Sequence, residues 1–383
     1  MDFTLDDDQR MLQDTVLRLV ERAYRFEQRR AHAAEPEGFS RALWGQAAGI
    51  GLLGLAYPEA DGGMGGSAAD VMLVMQALGR ALALDPFLPT MVLGAAALRG
   101  ASPAQRARWV PAIAAGDRVL AWAHEEAAQR GRLFDVSTRA QRVASGWQID
   151  GLKPAVLHGD SADALLLSAR VEGAAHDAHG IALFLIDARH AGITRDAWRT
   201  HDGRRAADIR LDAVQVGADT LIGAAGEAAP LIEVTVHAGI AALAAEAVGA
   251  MELALELTVE HLKTRVQFGV PLARQQSLQH RAAEMLMALE QSRSMAMYAA
   301  LMLDESDPAE RAKALSAVKA QIGTAGRFVA QQAVQLHGGI GVTEECAVGH
   351  VLKRLTLMES EFGGTEHHLA AVARAGGFVA AAA

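Results

Sequence analysis

The spacing of apolar residues along this chain changes twice, and this change constrains the fold more than any other feature of the sequence. Apolar residues recur at helical spacing from about Leu5 to Gly116. Between about 117 and 225, short apolar runs of strand length replace that pattern. The helical period returns after Pro230 and continues to the end. The sequence therefore predicts an α+β protein with an N-terminal helical domain, a central β-barrel-like domain and a C-terminal four-helix bundle, at 1–116, 117–225 and 226–383.

The strongest local signals lie in the third domain. Asp307 followed by Pro308 and Glu310 is typical of a helix start, because Asp caps the free N–H groups and proline suits the first turn. This helix is predicted to run to His337, where Gly338 and Gly339 end it. Two long helical segments precede it, at about 232–265 and 277–303, and complete the predicted bundle.

Composition narrows the class of protein. The chain has 383 residues and a formal net charge of −9, which argues against a nucleic-acid partner because phosphate binding needs excess Lys and Arg. The single cysteine, Cys346, leaves no internal disulfide and fits a reducing compartment. The acidic N-terminus lacks the features of a signal peptide, and we expect no membrane span. The predicted location is cytoplasmic.

Two motifs in the last third could contact a cofactor. In Arg265-Val266-Gln267-Phe268-Gly269, a guanidinium could hold a diphosphate and Phe268 could pack on a flat ring. A helix end closed by Gly269-Val270-Pro271 is the alternative interpretation. In Gln335-Leu336-His337-Gly338-Gly339, the glycines allow a ligand close to the backbone, which is compatible with a helix C-cap. We interpret His337 as a packed or hydrogen-bonding residue rather than a catalyst.

No metal site is predicted. His367 and His368 are adjacent in sequence rather than one helical turn apart, and no other group of histidines and carboxylates has the spacing of metal ligands.

Together with Phe362-Gly363-Gly364-Thr365, these motifs resemble the acyl-CoA dehydrogenase superfamily, and the α–β–α order extends the resemblance over essentially the whole chain. It implies an FAD-dependent, tetrameric flavoenzyme that desaturates an acyl-CoA thioester. It further implies that a group of residues contacts FAD, several of them across a subunit interface at the adenine and diphosphate end; these are Arg265, Gln267, Phe268, Gln275, Gln276, Gln335, Gly338, Gly339 and Thr365.

The residue expected to take the substrate α-proton is absent. The resemblance places a glutamate at Gly363, or in some members at Gly239 with an arginine at Ile240. Neighbouring acids are Glu246, Glu359, Glu361 and Glu366. We expect Glu246 in a buried salt bridge, and Glu366 is the least implausible substitute for the base, with Glu361 behind it.

The half of the site that holds the flavin ring also departs from the pattern. Where the family carries a Thr-Glu-Pro-Gly-Ala-Gly-Ser-Asp-like loop, this chain has His124 to Gly131 and retains only Glu125. Lys153 of a Gly-x-Lys motif is kept, but Ala155 and Leu157 replace the Trp and Thr that pack on the ring. We interpret Lys153 as a structural or surface residue.

These departures suggest a degenerate subunit. The chain resembles the small subunit of heteromeric, pimeloyl-CoA-type acyl-CoA dehydrogenases, and the hypothesis is that it lends the clamp for the FAD adenine end to a partner that bears the glutamate. The alternatives are a self-sufficient homo-oligomer with Glu366 as the base, a flavin monooxygenase on the same fold, and a non-enzymatic assembly subunit. The length of the acyl chain is not predicted.

Overall fold

The computed structural model describes residues 5–129 and 131–377. The N-terminal part is helical, and its first helix begins with a capping box in which the Gln9 backbone donates to Asp6 Oδ1 at 2.8 Å and the Asp6 backbone donates to Gln9 Oε1 at 3.3 Å. A π-helical segment, Leu88–Leu93, precedes the fifth helix. The helices are α1 (Asp7–Ala23), α2 (Phe26–Ala34), α3 (Arg41–Gly49), α4 (Ala68–Arg80), α5 (Gly94–Leu98) and α6 (Pro103–Ala114).

The predicted central β domain is an eight-stranded sheet with the order β6-β7-β3-β2-β4-β5-β8, and β1 pairs with β4. Residues of β4 are buried throughout, as expected for an apolar strand covered on both faces. Its pairing with β5 is antiparallel and its pairing with β1 is parallel. The strands are β1 (Leu120–Ala123), β2 (Arg139–Val143), β3 (Gly146–Leu157), β4 (Ala164–Arg170), β5 (Ile181–Asp187), β6 (Ile193–Arg199), β7 (Arg205–Val216) and β8 (Leu221–Ile222).

The C-terminal part is again helical, as predicted. Asp307 caps α9 by accepting the Ala309 N–H at 2.8 Å, and the helix ends at His337 before Gly338. A small hairpin, β9 (Val266–Gln267) and β10 (Val270–Pro271), separates the first two helices. The helices are α7 (Ala229–Thr264), α8 (Gln276–Met302), α9 (Pro308–His337), α10 (Ala347–Ser360) and α11 (Thr365–Arg374).

Helix α7, predicted at about 232–265, spans Ala229–Thr264 and is strongly apolar. Its 36 residues make it the one helix in the described parts of the chain that is long and apolar enough to cross a membrane. However, 78% of its most apolar window is buried within the structure, which is the behaviour of a core helix.

The contacts divide the chain into two compact units. One contains Met1–Arg30, Ala68–Ala83 and Ile240–Ala383, and the other contains Ala31–Ser67 and Leu84–Gly239. Helices α1 and α4 therefore belong with the C-terminal helices, and the other N-terminal helices belong with the sheet. The three domain boundaries proposed from the sequence stay predictions.

Two glycines let α4 and α7 cross with their backbones in contact. A Cβ at Gly79 would lie 1.9 Å from the Glu246 carbonyl oxygen, and a Cβ at Gly249 would lie 1.9 Å from the Gln76 carbonyl oxygen. No larger residue fits either position without moving a helix. This crossing fixes the part of α7 that carries Glu246.

Candidate functional site

The segment after α7 is an exposed hairpin with an aromatic residue at its tip. Phe268 and Gly269 form the two-residue turn with φ values of 55° and 80°, which is the conformation of tight hairpins. The Phe268 side chain is 94% exposed, and Val266 beside it is also exposed. Such a ring is positioned to contact another molecule rather than this chain's own core.

Arg265 stands at the base of this hairpin with a fixed backbone and a free side chain. Its N–H donates to the His261 carbonyl, and its carbonyl accepts from the Leu272 N–H, each at 2.9 Å. The guanidinium is exposed and makes no hydrogen bond or ion pair with the residues that the structure describes. It can therefore bind an anion without breaking an existing contact.

The glutamines predicted to accompany Arg265 are exposed as well. Gln275 and Gln276 lie at the start of α8, and Gln335 lies in the last turn of α9. The Gln267 amide donates only to the adjacent Val266 carbonyl, at 2.8 Å.

Two contacts hold the ends of the three helices together. The Arg281 guanidinium on α8 donates to Gln332 Oε1 on α9 at 3.1 Å. The imidazole rings of His261 on α7 and His337 on α9 stack with centroids 4.5 Å apart and an interplanar angle of 24°. His337 also bonds the Ala333 carbonyl through Nδ1, at 2.8 Å, so its prediction as a packed, hydrogen-bonding residue is confirmed.

Gly338 and Gly339 leave the backbone at the end of α9 open. Gly338 has a φ of 68°, and a Cβ placed at either residue would meet no atom within 4 Å. Both residues are exposed. Together with the hairpin and Arg265, they form an accessible surface, which we call the clamp: Arg265, Gln267, Phe268, Gln275, Gln276, Gln335, Gly338 and Gly339.

The loop between α10 and α11 holds Gly363 in a conformation that favours glycine. Its φ is 98°, and a Cβ there would lie 3.0 Å from His368 Nε2. The buried Lys319 ammonium donates to the Gly363 carbonyl at 2.8 Å and to the Glu359 carbonyl at 2.9 Å. Position 363 is thus a fixed turn without an ionisable side chain. Lys319 was not predicted as part of this site; its one signal in the sequence is a lone cation within an otherwise small and apolar helix face.

Most of the nearby acids are engaged in structural contacts. Arg354 binds Glu246 through Nε and Nη2 at 2.9 and 3.0 Å, and both side chains are almost fully buried. The predicted buried salt bridge of Glu246 is therefore confirmed. Arg354 also binds Glu361 through Nη1.

Glu359 and Glu366 lie on either side of the Gly363 turn. The Glu359 carboxylate accepts the Thr365 N–H at 2.9 Å and pairs with Arg327, and the hydrogen bond from Thr365 is the main cause of its lowered pKa. Thr365 itself is buried at the start of α11. Glu366 is exposed in the first turn of that helix and makes no hydrogen bond with the described residues.

The second position at which the resemblance places the catalytic base, Gly239, carries no carboxylate either. Gly239 and Ile240 are buried in consecutive positions of α7.

The sheet contains a buried polar network around Lys153. The Lys153 ammonium donates to Glu126 Oε1 at 2.7 Å, to Ser168 Oγ at 3.1 Å and to the His124 carbonyl at 3.2 Å. Glu126 also accepts the backbone N–H groups of Ser137 and Thr138, at 2.8 and 3.0 Å. Lys153 is fully buried, so the structural interpretation of this residue is confirmed.

His124 belongs to the same network and has no free ring nitrogen. Its Nδ1 lies 2.8 Å from Ser168 Oγ, and its Nε2 lies 2.9 Å from the Leu133 carbonyl oxygen. Burial, with a further contribution from the Lys153 charge, lowers the pKa of His124 to about 3, so the ring is neutral at physiological pH. Burial also lowers the pKa of Lys153 to about 8, and Glu126 opposes that shift.

The two halves of the site differ in how well they fit FAD. The clamp offers an unpaired guanidinium, an exposed aromatic ring and open glycine backbone, which suit a diphosphate and an adenine. In the half that would hold the flavin ring, His124, Lys153 and Ser168 form hydrogen bonds with one another. Exposed Ala155 and half-buried Leu157 provide neither a flat ring nor a hydroxyl. The residues fit the adenine end and do not fit the flavin ring.

A separate cleft opens in the unit that contains the sheet. It has a volume of about 790 Å³ and lies between α6, the end of β5 and the segment before β8. None of the predicted site residues lines it. Among residues 5–129 and 131–377, no three His, Cys, Asp or Glu side chains are grouped as they would be around a metal ion.

Comparisons with known proteins agree with the fold and the motifs. The acyl-CoA dehydrogenase N-terminal domain matches residues 6–117, and the acyl-CoA dehydrogenase C-terminal domain matches residues 230–377. The acyl-CoA dehydrogenase FadE12 of Mycobacterium tuberculosis (strain H37Rv) is 31% identical over 315 residues, which cover 81% of each chain.

Two similar solved structures each carry the names of two proteins. The ChsE4-ChsE5 complex from Mycobacterium tuberculosis has a TM-score of 0.87 at 26% identity and covers all of both chains. A variant of the Tcur3481-Tcur3483 steroid ACAD has a TM-score of 0.87 at 28% identity, over 97% of this chain and 98% of that one. From its domain matches, its relatives and its fold, this chain belongs to the acyl-CoA dehydrogenase family, whose members are FAD-dependent dehydrogenases.

Proposed function

We propose that this chain is one subunit of a heteromeric acyl-CoA dehydrogenase that desaturates an acyl-CoA thioester between its α and β carbons. The chain holds the adenine and diphosphate end of an FAD whose ring is bound by a partner subunit, and the partner supplies the glutamate. The main support for this proposal is the difference between the clamp and the half of the site that would hold the flavin ring. The Arg265 and Phe268 side chains are exposed, and the guanidinium makes no hydrogen bond or ion pair with a described residue. In the ring half, His124, Lys153 and Ser168 are bonded to one another, and Gly363 provides no base.

The chemistry divides between the subunits accordingly. Desaturation needs a carboxylate that takes the α-proton, and FAD, when bound, accepts the β-hydride. In this chain, Arg265 would pair with the diphosphate, and the Phe268 ring would pack against the adenine. The Gly338-Gly339 backbone would allow the cofactor to approach closely. Further hydrogen bonds to the cofactor would come from the clamp glutamines, Gln267, Gln275, Gln276 and Gln335. Thr365 stays a predicted cofactor contact.

Related proteins support a two-chain assembly. The ChsE4-ChsE5 and Tcur3481-Tcur3483 proteins, both similar to this chain over nearly its whole length, are named as pairs. The second is called a steroid ACAD, which suggests a polycyclic acyl group. The resemblance to pimeloyl-CoA-type small subunits suggests a dicarboxylyl group instead. Oxidation assays with both classes of acyl-CoA distinguish them. We place the assembly, a tetramer by family resemblance, in the cytoplasm.

A second candidate is a self-sufficient enzyme with Glu366 as the base. It is favoured by one observation, namely that Glu366 follows Thr365 and is engaged by no described residue. Glu366→Gln would then abolish turnover while FAD stays bound. Under the subunit proposal, the same variant keeps the activity of the assembly.

The test is co-expression with the dehydrogenase encoded beside this chain, followed by measurement of retained FAD and of acyl-CoA oxidation. We expect Arg265→Ala to weaken FAD retention by the complex about ten- to a hundredfold, because one charge-assisted contact contributes about 1.5–3 kcal/mol. Arg22→Ala is the matched control, since Arg22 is an exposed arginine of α1 in the same unit.

Equal FAD retention by Arg265→Ala and Arg22→Ala would contradict the clamp. A complex without flavin absorbance would indicate an assembly subunit. Rapid oxygen consumption with reduced flavin would indicate a monooxygenase.

A further inference from the structure

Two histidines next to the clamp in sequence have no role in the proposed function. His261 lies in the last turn of α7, four residues before Arg265, and His337 lies between Gln335 and Gly338. Their rings stack at 4.5 Å with an interplanar angle of 24°. The pair therefore joins the two segments of the clamp.

The ring nitrogens of this pair are largely available. A carbonyl oxygen can only accept, so His337 Nδ1 carries the proton that it donates to the Ala333 carbonyl. Its Nε2 is directed elsewhere. The His261 ring makes no hydrogen bond with the described residues, and both side chains are half-buried. The pair therefore has free ring nitrogens with which it can contact a ligand.

The surroundings disfavour the protonated form of the His261 ring. Burial, then His337 and then Arg265 lower its pKa. On α8, the Arg281 guanidinium is held by Gln332. Glu260, the acid beside His261 in the sequence, is bound by Lys263 at 2.9 Å. A diphosphate placed beside Arg265 would reverse this balance, because a nearby negative charge favours the protonated imidazole.

We propose that the His261–His337 pair is part of the clamp and takes up a proton when a diphosphate diester binds beside Arg265. This inference rests on the proposed function. It makes the affinity of the clamp depend on pH: binding is tighter at low pH and weakens as pH rises through the range in which the liganded histidines lose their proton.

ADP-ribose is a suitable probe. It has the adenine and the diphosphate diester of FAD, and it has no terminal phosphate that titrates near neutrality. We expect the purified chain to bind it about three- to tenfold more tightly at pH 6 than at pH 8, because each unit of pKa change on binding corresponds to a factor of about ten. Calorimetry in buffers of different ionisation enthalpy would show net proton uptake.

Two variants separate protonation from packing. His261→Phe keeps a ring in the stack but cannot take a proton, and His337→Asn keeps a donor for the Ala333 carbonyl. Each should remove most of the pH dependence and leave the affinity at pH 8 nearly unchanged. His176→Gln, which changes an exposed histidine in the turn between β4 and β5, should behave as the unaltered chain. Circular dichroism checks that each variant folds.

The possible failures are distinct. Binding of ADP-ribose that is the same at pH 6 and pH 8 overturns the proposed role of the histidine pair and leaves the clamp intact. Absence of binding at both pH values overturns the pair and the clamp together. An unchanged pH dependence in both His261→Phe and His337→Asn assigns the proton to another group and also overturns this inference.

Discussion

Replacing Gly363 by alanine tests whether this position is glycine for a structural reason. Gly363 has a φ of 98°, a conformation that L-residues rarely adopt, and its carbonyl is held there by Lys319 at 2.8 Å. Alanine would have to keep this backbone angle or give up the Lys319 contact. Its Cβ would also lie 3.0 Å from His368 Nε2, which is closer than ordinary van der Waals contact.

The expected cost follows from a comparison with the next residue. A non-glycine residue at positive φ costs about 1–3 kcal/mol. Replacing glycine also stabilises a chain by about 0.4–1 kcal/mol, because it restricts the unfolded state. Gly364→Ala has this stabilising effect without the cost of a positive φ, because Gly364 has a φ of −81°. Its Cβ would lie 3.4 Å from Glu359 Oε1. Gly363→Ala should therefore be less stable than Gly364→Ala by about 1–3 kcal/mol.

Urea unfolding followed by circular dichroism measures this difference. Equal stability of the two variants would refute the argument that the backbone selects glycine at 363. The functional consequence is tested by Gly363→Glu, which restores the expected base. We expect this variant to have the same strain and to give no acyl-CoA oxidation in the chain alone, because in the proposed assembly the partner subunit binds the flavin ring.

Three further substitutions test the packing and charges of the site. Lys153→Met should destabilise the chain by about 3–5 kcal/mol in urea unfolding, because it leaves the Glu126 carboxylate buried without its cation; exposed Lys263→Met should cost almost nothing. Burial raises the pKa of the Asp85 carboxyl to about 7. The folding stability that this group contributes is therefore complete below about pH 4 and is lost as the pH rises to 7. Above pH 7, Asp85→Asn should be more stable than the unaltered chain by up to about 4 kcal/mol, and it should lose that part of the pH dependence. Gly249→Ala should cost about 3 kcal/mol or more in thermal or urea unfolding, since its Cβ would overlap the α4 backbone.

Local signals in the sequence predicted much of the helical architecture. The limits of α9 followed from Asp307, Pro308 and Gly338, because caps act through hydrogen bonds to residues within a few positions. The salt bridge of Glu246 was also predictable, since a carboxylate in so apolar a helix requires a partner. The identity of that partner was not, because Arg354 lies 108 residues away and is brought to Glu246 only by helix packing.

The remaining features depend on tertiary contacts that have no short-range signal. The grouping of α1 and α4 with the C-terminal helices comes from close crossings such as the one at Gly79 and Gly249. The His261–His337 stack joins residues from two helix ends that are separated by the whole of α8. The polar network of Lys153 could have been suspected from one signal, a lysine within a predicted strand, but its partners come from two other segments, the loop after β1 and strand β4.

The central claim is that this chain holds half of a flavin site and contributes no base. The visible spectrum of the chain purified alone, combined with an acyl-CoA oxidation assay on the same sample, tests this claim most directly. We expect little or no flavin absorbance and no oxidation by the chain alone, with both appearing when the neighbouring dehydrogenase is co-purified. A chain that purifies alone with a full complement of FAD and oxidises an acyl-CoA at ordinary flavoenzyme rates would contradict the account.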